Sequence, residues 1–108
     1  MKTGDIILIP FLFTKLSNIK IRPAALICET NDVYRDLVIC AISSVVLFKL
    51  SSNELLLKPD HLNNLRKSSV LKVDRIVTVK KENLIAKLGK LNKEDLELFK
   101  QKFISLIK

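Results

Sequence analysis

Short apolar runs rich in β-branched residues, separated by polar turns, fill the first eighty or so positions. Strand candidates fall at Ile6 to Ile9, Ala24 to Cys28, Leu37 to Ile42, Leu55 to Leu57, Val70 to Val73 and Ile76 to Val79. Six short strands at that spacing imply a compact barrel. The second and third, around Leu26 and Ile39, are apolar on both faces, so each face needs a cover from other strands, a helix or a partner subunit. A homodimer is expected on that ground. With only two glycines, Gly4 and Gly89, most turns must use Asn, Asp, Ser and Pro.

The C-terminal segment has a different period. Leu96, Phe99, Phe103, Leu106 and Ile107 recur at three- and four-residue spacing, the pattern of an amphipathic helix. Asn92 followed by Asp95 supplies an N-cap and an acid in the first turn, which starts the helix near Lys93. A shorter helical stretch is expected from Lys81 to Leu88, stopping at Gly89. No linker or repeat divides the 108 residues, so one domain over 1–108 is expected.

No apolar run approaches the roughly 20 residues of a membrane-spanning helix. The opening Met1-Lys2-Thr3-Gly4-Asp5 is unlike a secretion signal, so a cytoplasmic location without membrane partners is expected. Nineteen Lys plus Arg against eleven Asp plus Glu give a formal charge of +8, which raises the encounter rate with phosphate-rich polymers. Cys28 and Cys40 lie within apolar runs and have no ligand set around them, so they read as buried reduced thiols. The single histidine, His61, lies in a polar stretch and reads as a solvated loop residue.

Four segments, taken together and in order, resemble one family. Gly4-Asp5-Ile6-Ile7-Leu8-Ile9-Pro10 followed by Lys20-Ile21-Arg22-Pro23-Ala24 is similar to the opening strand, loop and Arg-Pro strand of MazF/PemK toxins. Val38 to Ser44, Leu65 to Thr78 and Ile85 to Leu91 resemble the family's later strands and closing part. The resemblance implies a mainly β, SH3-like barrel of the CcdB/MazF type with a C-terminal α-helix. It also implies a homodimer that cuts single-stranded mRNA without metal or cofactor, using the RNA 2′-hydroxyl as nucleophile, and that is neutralised by an antitoxin.

Residue by residue, Arg22 matches the arginine to which the family's catalysis is chiefly assigned. Its planar guanidinium offers paired donors to a phosphate, and it stays protonated, so its expected role is charge stabilisation and not that of a resting base. Ser43 stands where the family commonly has threonine and keeps the hydroxyl; a serine ending a strand is also a common turn former. Ser44 is an adjoining RNA-binding candidate. Asp74 matches an acid that some members use as a base. Lys72 falls where those members have another arginine, and it keeps the charge without the bidentate fork. A Lys72–Asp74 ion pair explains the same two residues structurally. Lys15 and Lys20, in the loop after the first strand, are expected to touch the RNA backbone, and Phe11 and Phe13 are candidates for base stacking or for core. Two other readings of the barrel stay open: a protein that binds RNA without cutting it, and one that poisons a protein such as DNA gyrase.

Overall fold

The computed structural model describes residues 1–12 and 19–107. Six strands and one helix follow in the order β1 (Asp5–Leu12), β2 (Ile19–Glu29), β3 (Leu37–Ser43), β4 (Glu54–Leu57), β5 (Ser69–Val79), β6 (Ala86–Lys90) and α1 (Lys93–Ile104). The strands form one sheet in the order β4-β5-β3-β2-β1-β6, with every neighbouring pair antiparallel. The sheet curls. Its two outer strands are joined through the segment after β4, where Leu62 accepts from the Lys90 amide at 3.0 Å and Asn64 donates to the Leu88 carbonyl at 2.8 Å.

Four of the six strand expectations match separate strands, and the last two, Val70 to Val73 and Ile76 to Val79, are one. The polar Asp74-Arg75 between them is a bulge: Ala41 pairs with Lys72 but Cys40 with Ile76, so β5 carries extra residues that bend it without ending it. The sixth strand replaces the helix expected from Lys81 to Leu88. Only Lys81–Asn83 winds, as a single 3-10 turn, and Ala86–Lys90 then pairs with β1. Gly89 does not end a helix. A Cβ there would collide with the Leu62 carbonyl and lie 2.9 Å from Asn63 backbone atoms, so the joint between the two edges requires glycine.

Alternation along the strands sorts the core into two clusters on the two faces of the sheet. Ile6, Ala25, Cys40, Ile42, Leu55, Leu57, Leu71 and Val73 gather with Phe99 of α1 on one. Ile7, Ile9, Ala24, Leu26, Leu37 and Ile39 gather on the other, with Phe11, Val79 and Leu84 against them. The two-faced apolar pattern of β2 and β3 is thus covered within the chain and does not itself require a second subunit. Helix α1 starts at Lys93 as its sequence predicts: Asn92 accepts from the Asp95 amide at 2.8 Å and donates to Asp60 at 2.9 Å. Backbone donation from Asn63, then the Asn92 amide, holds the Asp60 carboxyl below its ordinary range, whereas burial, then the Asp60 charge, raises that of Asp95.

At Gly4 the backbone needs φ 91°, a left-handed value that favours glycine, and its carbonyl accepts from Leu91 at 2.9 Å. The neighbouring Asp5 is buried; it accepts from the Lys2 amide at 2.8 Å and pairs with Lys87 at 3.3 Å. The Gly-Asp pair therefore anchors the chain start to β6 and the helix, a structural role.

The cysteines differ from expectation and from each other. Cys40 is buried and its thiol donates to the Val73 carbonyl at 3.3 Å, but Cys28, at the pleat beside the β2 bulge, is exposed. Burial, reinforced by the Asp74 charge, pushes the Cys40 thiol up to about 12. One thiol per chain is therefore expected to react rapidly with a disulfide reagent at pH 8, the second only on unfolding. Cys28→Ser should abolish the fast phase; a fast phase that survives it would contradict this assignment.

Candidate active site

Arg22 is placed by three constraints. Pro23, next along, fixes the backbone at the centre of β2; Ile9 lies opposite in the β1 pairing, fully buried; and Ala24 pairs with Ala41 of β3. Carrying that antiparallel register two places outward brings Arg22 abreast of Ser43, the last residue of β3. The two side chains meet in a cleft of about 280 Å³ with Ser44, Phe11, Ala41, Ile42 and Val45. Arg22 is half-buried there, at the polar margin of the cluster built on Ile7 and Ile9.

Ser43 ends its strand in a turn: its Oγ accepts from the Val45 amide at 3.1 Å. That contact occupies one lone pair, pins the rotamer and leaves the hydroxyl hydrogen to donate elsewhere. The turn-former and ligand roles are therefore compatible in one residue. Beyond Ser44 the chain is exposed and apolar through Val45, Val46, Leu47 and Phe48.

The other expected residues are arranged around this cleft at different removes. Lys20 pairs with Phe11, on the same face as Arg22 and one pleat farther out, and is exposed. Lys72 pairs with the cleft residue Ala41 on one side and Glu54 on the other, which puts an ammonium on the same face, half-buried. Asp74 is not among the cleft's lining residues. It sits exposed in the β5 bulge, 3.5 Å from the Asn53 amide, and among the described residues it makes no ion pair with Lys72. Lys15 and Phe13 lie outside the described residues. His61 is exposed in the turn after β4, as its sequence context implies. Among the described residues, no three His, Cys, Asp or Glu side chains converge as a metal site requires.

Sequence reading missed the apolar half of the cleft. Ala41, Ile42 and Val45 carry no chemical signal of their own; only the β2–β3 register, which places them around Arg22, reveals them.

The family model for the PemK-like, MazF-like toxin of type II toxin-antitoxin systems matches residues 2–107. The chain belongs to that family. The MazF/PemK architecture also accounts for its shape among solved structures. MazF in a MazE-MazF structure from Deinococcus radiodurans superposes with TM-score 0.73 at 18% identity, covering 99% of this chain and 95% of that one. The Mycobacterium tuberculosis toxin MazF-mt6 gives TM-score 0.69 at 19% identity, covering 94% and 93%. An endoribonuclease in complex with its cognate antitoxin from a mycobacterial species gives 0.72 at 14%, covering 97% and 92%. Among curated proteins, none matches the chain. At these identities the solved structures speak for the fold: a curled, six-stranded MazF-type sheet with one C-terminal helix. No helix is long and apolar enough to cross a membrane.

Proposed function

We propose that this MazF/PemK toxin is a metal-independent endoribonuclease of single-stranded mRNA. The observation that carries the reading is the convergence of Arg22 and Ser43 from two strands on one open cleft. In the reaction, the RNA 2′-oxygen attacks the adjacent phosphorus while the bond to the 5′-oxygen breaks. The leaving 5′-oxygen takes a proton from water, and the products are a 2′,3′-cyclic phosphate and a 5′-hydroxyl. The negative charge that builds on the non-bridging oxygens needs donors fixed in advance. Arg22 supplies two from one rigid plane, and Ser43 supplies the hydroxyl hydrogen that its turn leaves unused. Lys72 adds positive charge from the next row of the sheet, and Asp74, exposed in the β5 bulge outside the cleft's lining, is the carboxylate assigned to accept the 2′-proton once it turns from Asn53 to the bound strand. Lys20 and Ser44 hold the strand on either side, and Lys15, between β1 and β2 in the sequence, is a further contact to the RNA backbone.

The same proposal includes an antitoxin that binds and neutralises the protein, supported by a structural neighbour solved in complex with its cognate antitoxin, and a cytoplasmic homodimer. Exposed Leu47 and Phe48 beside the cleft are apolar surface of the kind that interfaces cover. The deciding experiment incubates the protein with a long RNA in EDTA and maps the new ends. Cuts at a short recurring motif with cyclic phosphate ends are expected. Intact RNA that is nevertheless bound in a salt-dependent manner would transfer the protein to the non-cleaving class.

A further inference from the structure

A second cleft, of about 330 Å³, opens on the other side of β2 from Arg22. Alternation puts Ile21 and Pro23 there, and Leu88 of β6 adds to an apolar floor, with Ile21 57% exposed. Arg66 and Lys67 supply its charge, and no carboxylate lines it. Neither cation has an ion pair among the described residues. Ser44 lines both clefts, so the two adjoin at the end of β3.

The segment that presents Arg66 and Lys67 is held firmly. Asn63 is fully buried, and its side chain accepts from the Asp60 and Leu65 amides at 3.1 and 2.9 Å and donates to the Lys58 carbonyl at 2.9 Å. The Asn64 amide ties the same turn to β6. Two cations on a hydrogen-bonded platform above an apolar floor suit a nucleotide: the phosphate to the cations, the base or ribose to Ile21 and Pro23.

We propose that this second cleft is a flanking subsite for the RNA strand, in which Arg66 and Lys67 bind backbone phosphate beyond the scissile bond, the chain passing over Ser44. The inference rests on the endoribonuclease reading and deepens it. Charge alone would also suit an acidic protein segment, but the position of this cleft next to the Arg22 cleft, with Ser44 in both linings, favours the strand.

The test uses the intact protein, a fully 2′-O-methylated oligonucleotide that cannot be cut, and the Arg66→Gln/Lys67→Gln double variant. A Lys93→Gln/Lys100→Gln variant on α1 removes the same charge outside both clefts, and thermal unfolding checks that each variant is folded. Each phosphate contact in a single strand contributes a slope of about −0.7 in log affinity against log salt. The double variant is therefore expected to lose about 1.4 of that slope and roughly tenfold in affinity near 0.1 M salt, the α1 control much less. In cleavage of unmodified RNA, kcat/KM should fall for long substrates and stay unchanged for the shortest one cut. An unaltered slope, or an equal loss in the α1 control, overturns the subsite, as does a loss toward poly-L-glutamate with RNA affinity intact, which would assign the groove to an acidic protein partner. Binding without cleavage by the unmutated protein overturns the endoribonuclease reading alone, because the binding arm reads the subsite directly.

Discussion

Replacing Arg22 with alanine is expected to lower RNA cleavage by roughly 10²–10³-fold while leaving the fold in place, the range seen when one preorganised donor to a developing oxyanion is removed. The loss should appear in kcat more than in KM. Donors fixed in a half-buried cleft act most strongly on the charge that exists only in the transition state. Arg22→Lys should recover little of it, because an ammonium keeps the charge but cannot present two coplanar donors to one phosphorane. The fold should survive, since Arg22 stands at the margin of its cluster and Ile9, opposite, stays packed against Ile7 and Ala24. The measurement is single-turnover cleavage of a fluorogenic RNA in EDTA, with circular dichroism and thermal unfolding alongside. A folded alanine variant that still cuts within about threefold of the unmutated rate would remove Arg22 from the chemistry.

How much of this was legible beforehand differs by level. The cap at Asn92 and the helix it starts could be read because they are local: the donor, acceptor and periodicity all lie within one stretch. β6 could not. Its five residues, Ala-Lys-Leu-Gly-Lys, carry weak strand propensity and an internal glycine. They are a strand because β1 offers an edge, and they contain glycine because Leu62 comes close, two facts about distant residues. Asp74-Arg75 interrupts the apolar pattern without ending the strand for a related reason, since a bulge and a turn share the same polar signature. Cys28 is exposed although its sequence neighbours are apolar, because an apolar neighbourhood in sequence is not one in space.

At the site, Arg22 and Ser43 were identified by resemblance, and it took the sheet to bring them into one cleft. Lys72 and Asp74, two apart in sequence, separate because the bulge begins between them: Lys72 keeps its place opposite Ala41, whereas Asp74 turns toward Asn53. Lys72 is therefore the one that neighbours the cleft residue Ala41, and Asp74 must leave Asn53 to act there.

The largest expected effect on stability comes from a position with no chemistry at all. Gly89→Ala adds one methyl group, but the atoms it meets are the Leu62 carbonyl and the Asn63 backbone, and neither can swing aside as a side chain end would. The turn they belong to is pinned by the buried Asn63 side chain and by Asp60, so the strain passes to β6 or to the whole joint. Overpacking of this kind costs about 1–3 kcal/mol. The bonds that join the edges, Lys90 to Leu62 and Asn64 to Leu88, are each worth about 0.5–1.5 kcal/mol and would lengthen or break. A total near 3 kcal/mol is expected, roughly a 10–20 °C fall in unfolding temperature for a domain of this size. Lys90→Ala, at the exposed next position, should change stability by less than about 0.5 kcal/mol. Since Gly89 needs no unusual backbone angle, the cost is one of contact and not of conformation. A Gly89→Ala protein that melts with the unmutated one would mean that the segment after β4 does not hold the two edges of the sheet together.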